Sequence, residues 1–355
     1  MKTLSVFDIA PSKDNQRNSE GDFIRLNDGS IIFVYSRFVG GDQDQSESQI
    51  AMYVSRDNGI NWGEHRIIYH THDFAGAKNI MSVSLLRMQD GAVGLFFIIR
   101  KSTVDARLHL VRSYDEGKTW SEPVCCIPQL GYFVTNNNRV IRTASGRILL
   151  PGNLHICKNE LDNLDDESGV SGHGLCYFFH SDDDGKTWVA NRDFCRLNAS
   201  RSATGLQETG IIELEPGVIM AYHRTDLKMQ YASFSYDDGI TWTPVEPLIY
   251  FTSPESPMKI KKLDDGRMIA VWNPTPFYTG RDANWHTARS PLAVAFSSDN
   301  CKNWDDFELI ETDKNSGYSY PAIFNDGDLL ILGYCAGSMD DGSNLNRLRI
   351  RTIKL

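Results

Sequence analysis

The sequence predicts an all-β fold, a six-bladed β-propeller, and two periodic patterns lead to this prediction. The first is the pattern Ser-x-Asp-x-(Gly/Cys)-x-x-Trp, which occurs five times. Its copies span residues 55–62, 113–120, 181–188, 235–242 and 297–304. The spacing of roughly 60 residues is too long for one hairpin, and its regularity indicates one supersecondary unit per copy in a radial array.

Each copy of the pattern predicts a tight turn. In the first copy, Asp57 can accept hydrogen bonds from nearby backbone amides, and Gly59 tolerates positive φ. Trp62 can then fold back over the turn and cover it. The fifth copy has Cys301 in place of the glycine, which predicts a slightly different turn there. We expect these motifs to stabilise hairpins and to take no part in chemistry.

The second pattern consists of turn signals that precede hydrophobic runs. Six such signals occur, at residues 28–29, 90–91, 145–146, 216–217, 265–266 and 326–327. The β-rich runs that follow them are residues 31–35, 93–99, 148–150, 218–223, 268–272 and 329–334. Six hairpins and five motifs fit six four-stranded blades, one of which lacks its motif. Residues 3–9 and 348–355 both read as strands, and their pairing in that blade would close the ring and protect its edges.

The composition is consistent with one large domain. The chain has 355 residues, of which 41% are hydrophobic, and it can bury a large core. No linker or composition shift divides it, and the polar segment 158–171 reads as an insertion in the third repeat. The sequence therefore predicts a single propeller domain over residues 1–355.

Charge and cysteine content exclude several classes of partner. A net charge of -10 argues against broad nucleic-acid binding, so that an anionic ligand would need a local basic pocket. The seven cysteines have unrelated spacings and read as free thiols. We find no signal peptide and no membrane span, which favours a cytoplasmic location without membrane association. No histidine has a metal-ligand spacing, so no metal or other cofactor is implied.

The five motifs resemble the Asp-box, or BNR, repeats of the sialidase superfamily, and the similarity to bacterial exo-α-sialidases of glycoside hydrolase family 33 covers almost the whole chain. The resemblance implies an exo-acting glycoside hydrolase that removes a terminal sialic acid or a related sugar acid with retention. In this family a tyrosine attacks the anomeric carbon, a glutamate activates the tyrosine, an aspartate is the acid/base, and three arginines bind the substrate carboxylate. A neutral phenol avoids the repulsion that an anionic nucleophile would meet, and a guanidinium matches a carboxylate in bidentate fashion.

The resemblance supplies candidates for the glutamate and for two arginines. Glu208, in the segment 207–214, is similar to the tyrosine-activating glutamate that precedes a strand and a turn. Arg224 ends the following strand at an interval similar to that of the second arginine. Arg289, in Ala-Arg-Ser-Pro-Leu just before the fifth motif, is similar to the third.

Two tyrosines are candidates for the nucleophile. The segment Gly-Tyr-Ser-Tyr-Pro at 317–321 resembles the Tyr-Ser segment of the family, and Tyr318 is the preferred candidate. Tyr320 is the alternative, because two residues along an extended strand bring a side chain back to the same face.

The acid/base is expected in the polar loop before the first motif. Asp44 stands about as far before Ser55 as the family aspartate does, and it is preferred over Asp42.

The first arginine of the family has no evident counterpart. Sialidases usually have Arg-Ile-Pro at the start of the first blade, whereas the corresponding stretch, 18–24, contains no arginine. Arg17 could swing into the pocket and Arg37 ends a nearby strand, although neither stands in the expected register. Glu20 in this stretch would repel a substrate carboxylate, or would recognise hydroxyl groups or an amine instead.

Further polar residues are expected where strands enter or leave the centre of the ring. Asn79, Asn137, Arg139 and His155 suit contacts with sugar hydroxyl groups, and a glycan or small sugar acid is the expected ligand. Two alternatives remain open at this point. One is a glycosidase or lyase that acts on a different sugar in the same funnel, and the other is a noncatalytic glycan-binding propeller.

Overall fold

The fold is all-β in the computed structural model, which describes residues 1–158, 167–274 and 289–355. Strands dominate these ranges, and the helical turns within them are short 3-10 segments at Thr71–Asp73, Glu167–Gly169 and Met339–Asp341. No helix within the described ranges is long and apolar enough to cross a membrane. Most of the predicted insertion at 158–171 lies outside the described residues.

The strands of the described residues form five antiparallel-rich sheets in chain order. After β1 (Lys2–Ile9), the first sheet contains β2 (Arg17–Arg25), β3 (Ile31–Phe38), β4 (Ser48–Ser55) and β5 (Gly63–His70). The second contains β6 (Asn79–Arg87), β7 (Val93–Ser102), β8 (Asp105–Ser113), β9 (Val124–Cys125), β10 (Gly131–Val134), β11 (Ile141–Arg142), β12 (Ile148–Cys157), β13 (Val170–Ser181) and β14 (Val189–Cys195).

The remaining three sheets have four strands each. The third sheet consists of β15 (Gln207–Glu215), β16 (Val218–Arg224), β17 (Met229–Ser235) and β18 (Glu246–Thr252). The fourth consists of β19 (Lys259–Lys262), β20 (Met268–Trp272), β21 (Leu292–Ser297) and β22 (Asp305–Glu311). The fifth consists of β23 (Ser319–Asp326), β24 (Leu329–Cys335) and β25 (Leu348–Lys354), with β1 paired to β25 in antiparallel register.

The nine-stranded sheet is a pair of repeats joined along one seam. Strands β6 to β9 form one unit and β10 to β14 another, and β10 joins them because it pairs in parallel with β8 and antiparallel with β12. The sequence patterns did not predict this seam, which is only two residue pairs long, Gly131 with Asp105 and Tyr132 with Ala106.

The five sequence motifs form the turns between the last two strands of their units. In the first, the Ser55 hydroxyl donates to Asp57 Oδ1 (2.9 Å) and accepts from the amide of Gly59 (2.8 Å). The indole Nε1 of Trp62 donates to the Gly59 carbonyl (3.2 Å), so that the ring covers the turn. The fifth sheet has no motif, because its fourth strand is β1 from the other end of the chain.

The expectation of a different turn at Cys301 is wrong. Asn300 and Cys301 have φ of 57° and 66°, close to the 59° and 78° of Asn58 and Gly59. The amide of Cys301 also donates to the Ser297 hydroxyl at 3.0 Å, as the glycine does in the other copies. The hydrogen bonds of the motif therefore hold a non-glycine residue in the left-handed conformation.

The motif turns at Gly117, Gly185 and Gly239 each rest against the preceding four- or five-stranded unit. A Cβ on Gly117 would contact Arg66 and Ile32, one on Gly185 would meet Leu110, and one on Gly239 would meet Leu149. The turn of the first sheet rests instead on the fifth sheet, where Gly59 lies against Ile331 of β24 and Thr352 of β25.

The first strands of successive units lie on the inside and touch one another. Strand β2 contacts both β6 and β23, and β19 contacts both β15 and β23, while β15 also contacts β12. Apolar clusters fill the spaces between the sheets. One example combines Ile269 and Val271 of the fourth sheet with Ile323, Leu330 and Leu332 of the fifth. The inner strands thus start together at one end of the molecule, where the pocket described below opens.

Candidate functional site

A pocket of about 640 Å³ opens where the inner strands begin. Charged and polar side chains converge on it from five separate parts of the chain. They are Arg17 of β2, Asp42 and Asp44 of the loop before β4, Glu208 of β15 with Arg224 of β16, Arg289 before β21, and Tyr320 of β23. Tyr132 and His155 form part of the opposite wall.

Left-handed residues interrupt four inner strands at the level of this pocket. Glu20, Ser82, Glu208 and Tyr320 have φ of 54°, 65°, 47° and 55°, and the strand register shifts at each of them. Such bulges redirect a side chain out of the alternating pattern of a strand. Positive φ is uncommon for glutamate and tyrosine, and strained residues of this kind cluster at functional sites.

Tyr320 and Glu208 form a hydrogen-bonded pair in the centre of the pocket. The phenol donates to Glu208 Oε1 at 3.0 Å, and Arg224 Nη1 lies 2.6 Å from Glu208 Oε2. Burial alone would raise the pKa of Glu208, but the ion pair with Arg224 and the bond from Tyr320 lower it below its usual value. Burial raises the pKa of Tyr320, and the adjacent Glu208 carboxylate raises it further. The pair therefore consists of a neutral phenol beside an ionised base.

Three arginines surround this pair. Arg224 Nη2 donates to Glu255 Oε1 (3.0 Å), and Arg289 Nη2 donates to the Glu255 carbonyl (3.1 Å). The Arg289 guanidinium lies 5.5 Å from the ring centre of Tyr320. Within the described residues, Nε of all three arginines and Nη1 of Arg289 have no hydrogen-bond partner. These buried donors are suited to bind a carboxylate.

Arg17 is the arginine that the motif comparison did not place. It is the first residue of β2 and stands directly before the stretch 18–24, with Asn18 and Ser19 where the family has isoleucine and proline. Its guanidinium lies over the ring of Phe38 at 4.5 Å and is nearly fully buried. The sequence analysis allowed that Arg17 could swing into the pocket, and the structure does place its side chain in the pocket wall.

Asp44 is the carboxylate of the loop that reaches Arg17. Its Oδ1 accepts from Arg17 Nη1 at 2.5 Å, whereas Asp42 accepts from Gln43 and from Asn346. Desolvation at the pocket wall would raise the pKa of Asp44, but the Arg17 guanidinium outweighs it and lowers the pKa. In the ligand-free protein, Asp44 therefore occupies a donor of Arg17 that a bound carboxylate would use.

Glu20 lies in a smaller cavity beside the main pocket. The Ser82 hydroxyl donates to Glu20 Oε2 at 2.5 Å, and Arg17 Nη2 lies 3.7 Å from Glu20 Oε1. Burial raises the pKa of Glu20 to about 7, although Arg17 opposes this effect. The Glu20 carboxyl group therefore titrates near neutral pH.

His155 lines the main pocket as expected from the sequence. Its Nδ1 bonds to the Ser171 carbonyl at 2.9 Å, and its ring stands edge-on to Tyr132. Burial lowers the pKa of His155, so the imidazole is neutral at physiological pH. A neutral ring leaves Nε2 able to accept a hydrogen bond from a sugar hydroxyl.

Tyr318, the preferred nucleophile of the sequence analysis, lies away from the pocket. Its ring packs against Tyr334 with the centroids 6.2 Å apart, and its amide donates to the Arg289 carbonyl (2.8 Å). The sequence argument assumed an extended strand in which Tyr318 and Tyr320 face the same way. The left-handed conformation at Tyr320 removes this equivalence, and only Tyr320 points at Glu208.

Arg37 and Asn79 also lie outside the pocket. Arg37 donates to Gln49 Oε1 (2.6 Å) and to the Asp14 carbonyl (3.3 Å) on the outer side of β3. Asn79 donates to the Ser46 carbonyl (2.5 Å) and to the Ser48 hydroxyl (2.9 Å). It thereby supports the end of the loop that contains Asp44 rather than contacting the pocket itself.

Asn137 and Arg139 hold the inner strands together below the pocket. Asn137 Nδ2 donates to the carbonyls of Gly21 (2.9 Å) and Tyr320 (3.2 Å), which links β2 to β23. Arg139 is almost completely buried and donates to the Met258 carbonyl (2.9 Å) and the Tyr222 hydroxyl (3.3 Å). Both residues donate to backbone and hydroxyl acceptors of the central part of the fold, and neither lines the pocket.

Glu255 is a site residue that sequence reasoning missed. It aligns Arg224 through its carboxylate and Arg289 through its carbonyl. The sequence feature that could have indicated Glu255 is its place in Ser-Pro-Glu-Ser-Pro, where two prolines restrict the backbone. A restricted loop does not, however, indicate which of its side chains faces the pocket. Within the described residues, no group of three or more His, Cys, Asp or Glu side chains is arranged to hold a metal ion.

The fold is similar to that of several sialidases of known structure. The intramolecular trans-sialidase of Ruminococcus gnavus has a TM-score of 0.73 at 14% identity, over 100% of this chain and 98% of that one. The NanB sialidase of Streptococcus pneumoniae has a TM-score of 0.72 at 13% identity, over 100% of this chain and 70% of that one. A protein of unknown function from Dyadobacter fermentans has a TM-score of 0.75 at 17% identity, over 100% and 99% of the two chains.

Sequence comparison gives the family. Residues 41–334 match the BNR repeat-like domain, and the chain belongs to that family. A sialidase of Bacteroides fragilis (strain YCH46) is 30% identical over 253 residues, which make up 63% of this chain. The match spans 42% of that relative, less than half of its length.

Proposed function

We propose that this protein is an exo-acting glycoside hydrolase of sialidase type, built as one six-bladed β-propeller over residues 1–355. The observation on which the proposal rests is the Tyr320–Glu208 hydrogen bond of 3.0 Å within a pocket that also contains three arginines and Asp44. The circuit of contacts between inner strands and the pairing of β1 with β25 support the six-bladed ring. The sialidase homologue supports the reaction class.

The substrate would be a terminal sialic acid or a related sugar acid. Its carboxylate would bind the free donors of Arg224 and Arg289 and displace Asp44 from Arg17. A carboxylate on the anomeric carbon repels an anionic nucleophile, which gives a neutral phenol the advantage. Glu208 would then accept the phenol proton only as the Tyr320 oxygen attacks the anomeric carbon.

In the first step, the Tyr320 oxygen would form a bond to the anomeric carbon while its proton passes to Glu208. The bond from the anomeric carbon to the leaving oxygen would break, and protonated Asp44 would donate its proton to that oxygen. In the second step, Asp44 would remove a proton from water, whose oxygen attacks the same carbon. The bond to Tyr320 would break, and Glu208 would return the proton to the phenol, so that two inversions give net retention.

Release of Asp44 from Arg17 would prepare it for the acid role. An aspartate that is paired with a guanidinium has a low pKa and is a poor general acid at neutral pH. A substrate carboxylate that takes over Arg17 removes this stabilisation and adds a negative charge nearby. Both changes raise the pKa of Asp44 in the complex, which favours the protonated form that the first step requires.

The two tyrosines allow a matched test of the nucleophile. Release of a fluorescent aryl alcohol from its α-sialoside is measured for the wild type, Tyr320→Phe and Tyr318→Phe. We expect Tyr320→Phe to lower kcat by a factor of about 100 or more, because nucleophile and base act as a unit. Tyr318→Phe removes the same hydroxyl from a ring outside the pocket and should retain wild-type turnover.

The outcomes separate the competing assignments. Full activity in Tyr320→Phe would remove this residue from the mechanism. An unsaturated product without water incorporation would indicate a lyase. If no sialoside or other aryl glycoside is turned over while sugar acids still bind, the pocket belongs to a noncatalytic glycan-binding protein.

A further inference from the structure

The small cavity that contains Glu20 opens beside the Tyr320–Glu208 pair. It has a volume of about 70 Å³, and Asp44, Glu208 and Tyr320 line both this cavity and the main pocket. Its inner wall is apolar and consists of Met81, Ile98, Ala106 and Phe133. A sugar bound against Tyr320 therefore has a ring substituent within reach of the cavity.

The polar end of the cavity combines two acceptors with one guanidinium. The guanidinium is that of Arg100, which is 6% exposed and has interactions of its own. The Ser82 hydroxyl uses its proton on Glu20 Oε2. Asn136 is 2% exposed, and its Oδ1 has no hydrogen-bond partner within the described parts of the chain. A buried acceptor without a donor is destabilising, and a ligand with an O–H or N–H group would relieve this cost. Glu20 and Asn136 are thus the two acceptors that such a group can reach.

Glu20 has few structural contacts that would explain its burial. Its side chain is 3% exposed and bonds directly to one group, the Ser82 hydroxyl. It does not serve mainly to orient Arg17, because Arg17 lies 3.7 Å from Glu20 but 2.5 Å from Asp44. The left-handed backbone at Glu20 is a further cost that directs the carboxyl group into the cavity. A buried acid on a strained residue is expected where it has a ligand to bind.

We propose that Glu20, supported by Ser82 and Asn136, is a specificity-determining residue that accepts a hydrogen bond from an O–H or N–H substituent on the sugar ring. The inference rests on the proposed function, because it takes the pocket to hold a sugar acid. Glu20 acts on substrate choice and not on the bonds that form and break. The apolar wall of the cavity accommodates whatever is attached to that donor.

The test uses aryl α-glycosides of a sialic acid from which one ring or side-chain donor at a time is replaced by hydrogen. For the wild type, we expect removal of one particular donor to lower kcat/KM by a factor of about 100 or more, because buried acceptors lose their partner. In Glu20→Leu, the same removal should change kcat/KM less than about fivefold. Glu20→Gln keeps an acceptor of the same shape and should retain an intermediate preference.

The identity of the donor follows from the same series. Substrates with a hydroxyl, an ammonium or an acylated amine at the sensitive position are compared. Glu20→Gln should weaken the ammonium substrate most, because it removes a charge-assisted hydrogen bond. If every donor can be removed from the substrate with equal effect in the wild type and in Glu20→Leu, the proposal is wrong.

Failure of this inference and failure of the proposed function can be told apart. Binding of the free sugar acid and its deoxy analogues to Tyr320→Phe is measured by calorimetry, which needs no turnover. Donor-dependent binding that Glu20→Leu abolishes, without hydrolysis by the wild type, would sustain the role of Glu20 and refute the hydrolase. Hydrolysis without any donor preference would sustain the hydrolase and refute the role of Glu20.

Discussion

Glu20 combines a left-handed backbone conformation with a buried carboxyl group whose pKa is raised. Its carboxyl group is buried between Ser82 and Arg17. The charged groups around it are Arg17, Asp44 and Glu208, together with Arg100 in the wall of the same cavity. Burial disfavours its ionised form more than Arg17 favours it, and the pKa is raised to about 7. The folded protein therefore holds a proton on Glu20 over a pH range in which the unfolded chain has released it.

This difference predicts a pH dependence of stability. Between pH 4.5 and 7 the native state binds more protons at Glu20 than the unfolded state, so stability falls as the pH rises. At about 1.4 kcal/mol per pH unit, the unfolding free energy of the wild type should decrease relative to Glu20→Gln by up to about 3 kcal/mol over this range. Urea unfolding of both proteins at several pH values measures the difference. A constant difference would show that Glu20 has an ordinary pKa.

Asp44 leads to a second prediction, which concerns the pH dependence of activity. The profile of kcat/KM reports the free enzyme, in which Arg17 lowers the pKa of Asp44, and that of kcat reports the complex. Because the first step needs protonated Asp44, activity falls as the pH rises through its pKa. The alkaline limb of kcat/KM should therefore lie at lower pH than that of kcat, by about one unit or more.

The control for this prediction is Arg17→Met, which removes the charge that lowers the pKa. Its affinity for substrate should fall, and the two alkaline limbs should move closer together. Coincident limbs in the wild type would show that substrate binding does not release Asp44 from Arg17.

Part of the residue-level site follows from sequence, and the rest depends on backbone geometry. Glu208, Arg224, Arg289 and Asp44 were chosen by their resemblance to the sialidase family, and all four line the pocket. The sequence favoured Tyr318 over Tyr320, whereas Tyr320 is the one that reaches the pocket, because the outcome depends on a left-handed bulge that tyrosine rarely adopts. Which tyrosine is the nucleophile remains a prediction until the variants are measured.

At the scale of elements, the turn of the first motif both closes its own hairpin and bonds to strands of a neighbouring sheet. The Gly59 carbonyl accepts from Trp62 Nε1, from the Thr352 hydroxyl (2.6 Å) and from the Ser5 hydroxyl (3.1 Å). One turn thereby bonds to both terminal strands of the chain. The sequence predicted the turn and its glycine, but not this docking, since it depends on which sheet lies next to the turn.

Two glycines at the same motif position predict how much this docking contributes. Gly59 and Gly117 have φ of 78° and 83°, so alanine is strained similarly at both. A Cβ on Gly59 would lie 2.5 Å from Ile331 Cδ1, whereas one on Gly117 would have no neighbour closer than 3.6 Å. Gly117→Ala should cost about 1 kcal/mol from backbone strain, and Gly59→Ala about 1–3 kcal/mol more from overpacking.

Chemical denaturation of both variants measures these free energies. Gly29→Ala provides a third reference, because this turn glycine has φ of 86° and no atom within 4 Å of an added Cβ. Equal destabilisation by Gly59→Ala and Gly117→Ala would mean that the Ile331 side chain moves aside at no cost in free energy. The turn would then not be tightly packed against the fifth sheet.

At the scale of the molecule, the two ends of the chain meet in one sheet. The sequence predicted this pairing from strand-like ends and from the one unit that lacks its motif, and β1 does pair with β25. The parallel seam that joins β8 to β10 could not be predicted, because two residue pairs leave no periodic pattern in the sequence. The pairing of distant strands can thus be predicted from regular motif spacing, whereas irregular joints between repeats cannot.

The side chains of β1 predict an unusual consequence of its removal. Most of them are exposed, and Ile9 is the one buried residue of the strand. Deletion of residues 2–8 therefore removes one main apolar contact, that of Phe7 with Tyr53, whose ring centroids are 5.3 Å apart. It also removes the Asp8–Arg349 ion pair (2.8 Å) and the partner of β25. Stability should fall by only a few kcal/mol, but the uncovered edge of β25 offers free backbone groups to another chain.

We therefore expect the deletion variant to associate through β25 rather than to unfold. Size-exclusion chromatography with light scattering should show dimers or larger species whose fraction rises with protein concentration, while circular dichroism retains the β-sheet spectrum. A peptide of residues 1–10 added in excess should restore the elution volume of the wild type, because it pairs with β25 in the native register and covers the same edge. A deletion variant that elutes as the wild type does, with no response to the peptide, would mean that neighbouring groups already protect β25 and that β1 is dispensable for closing this sheet.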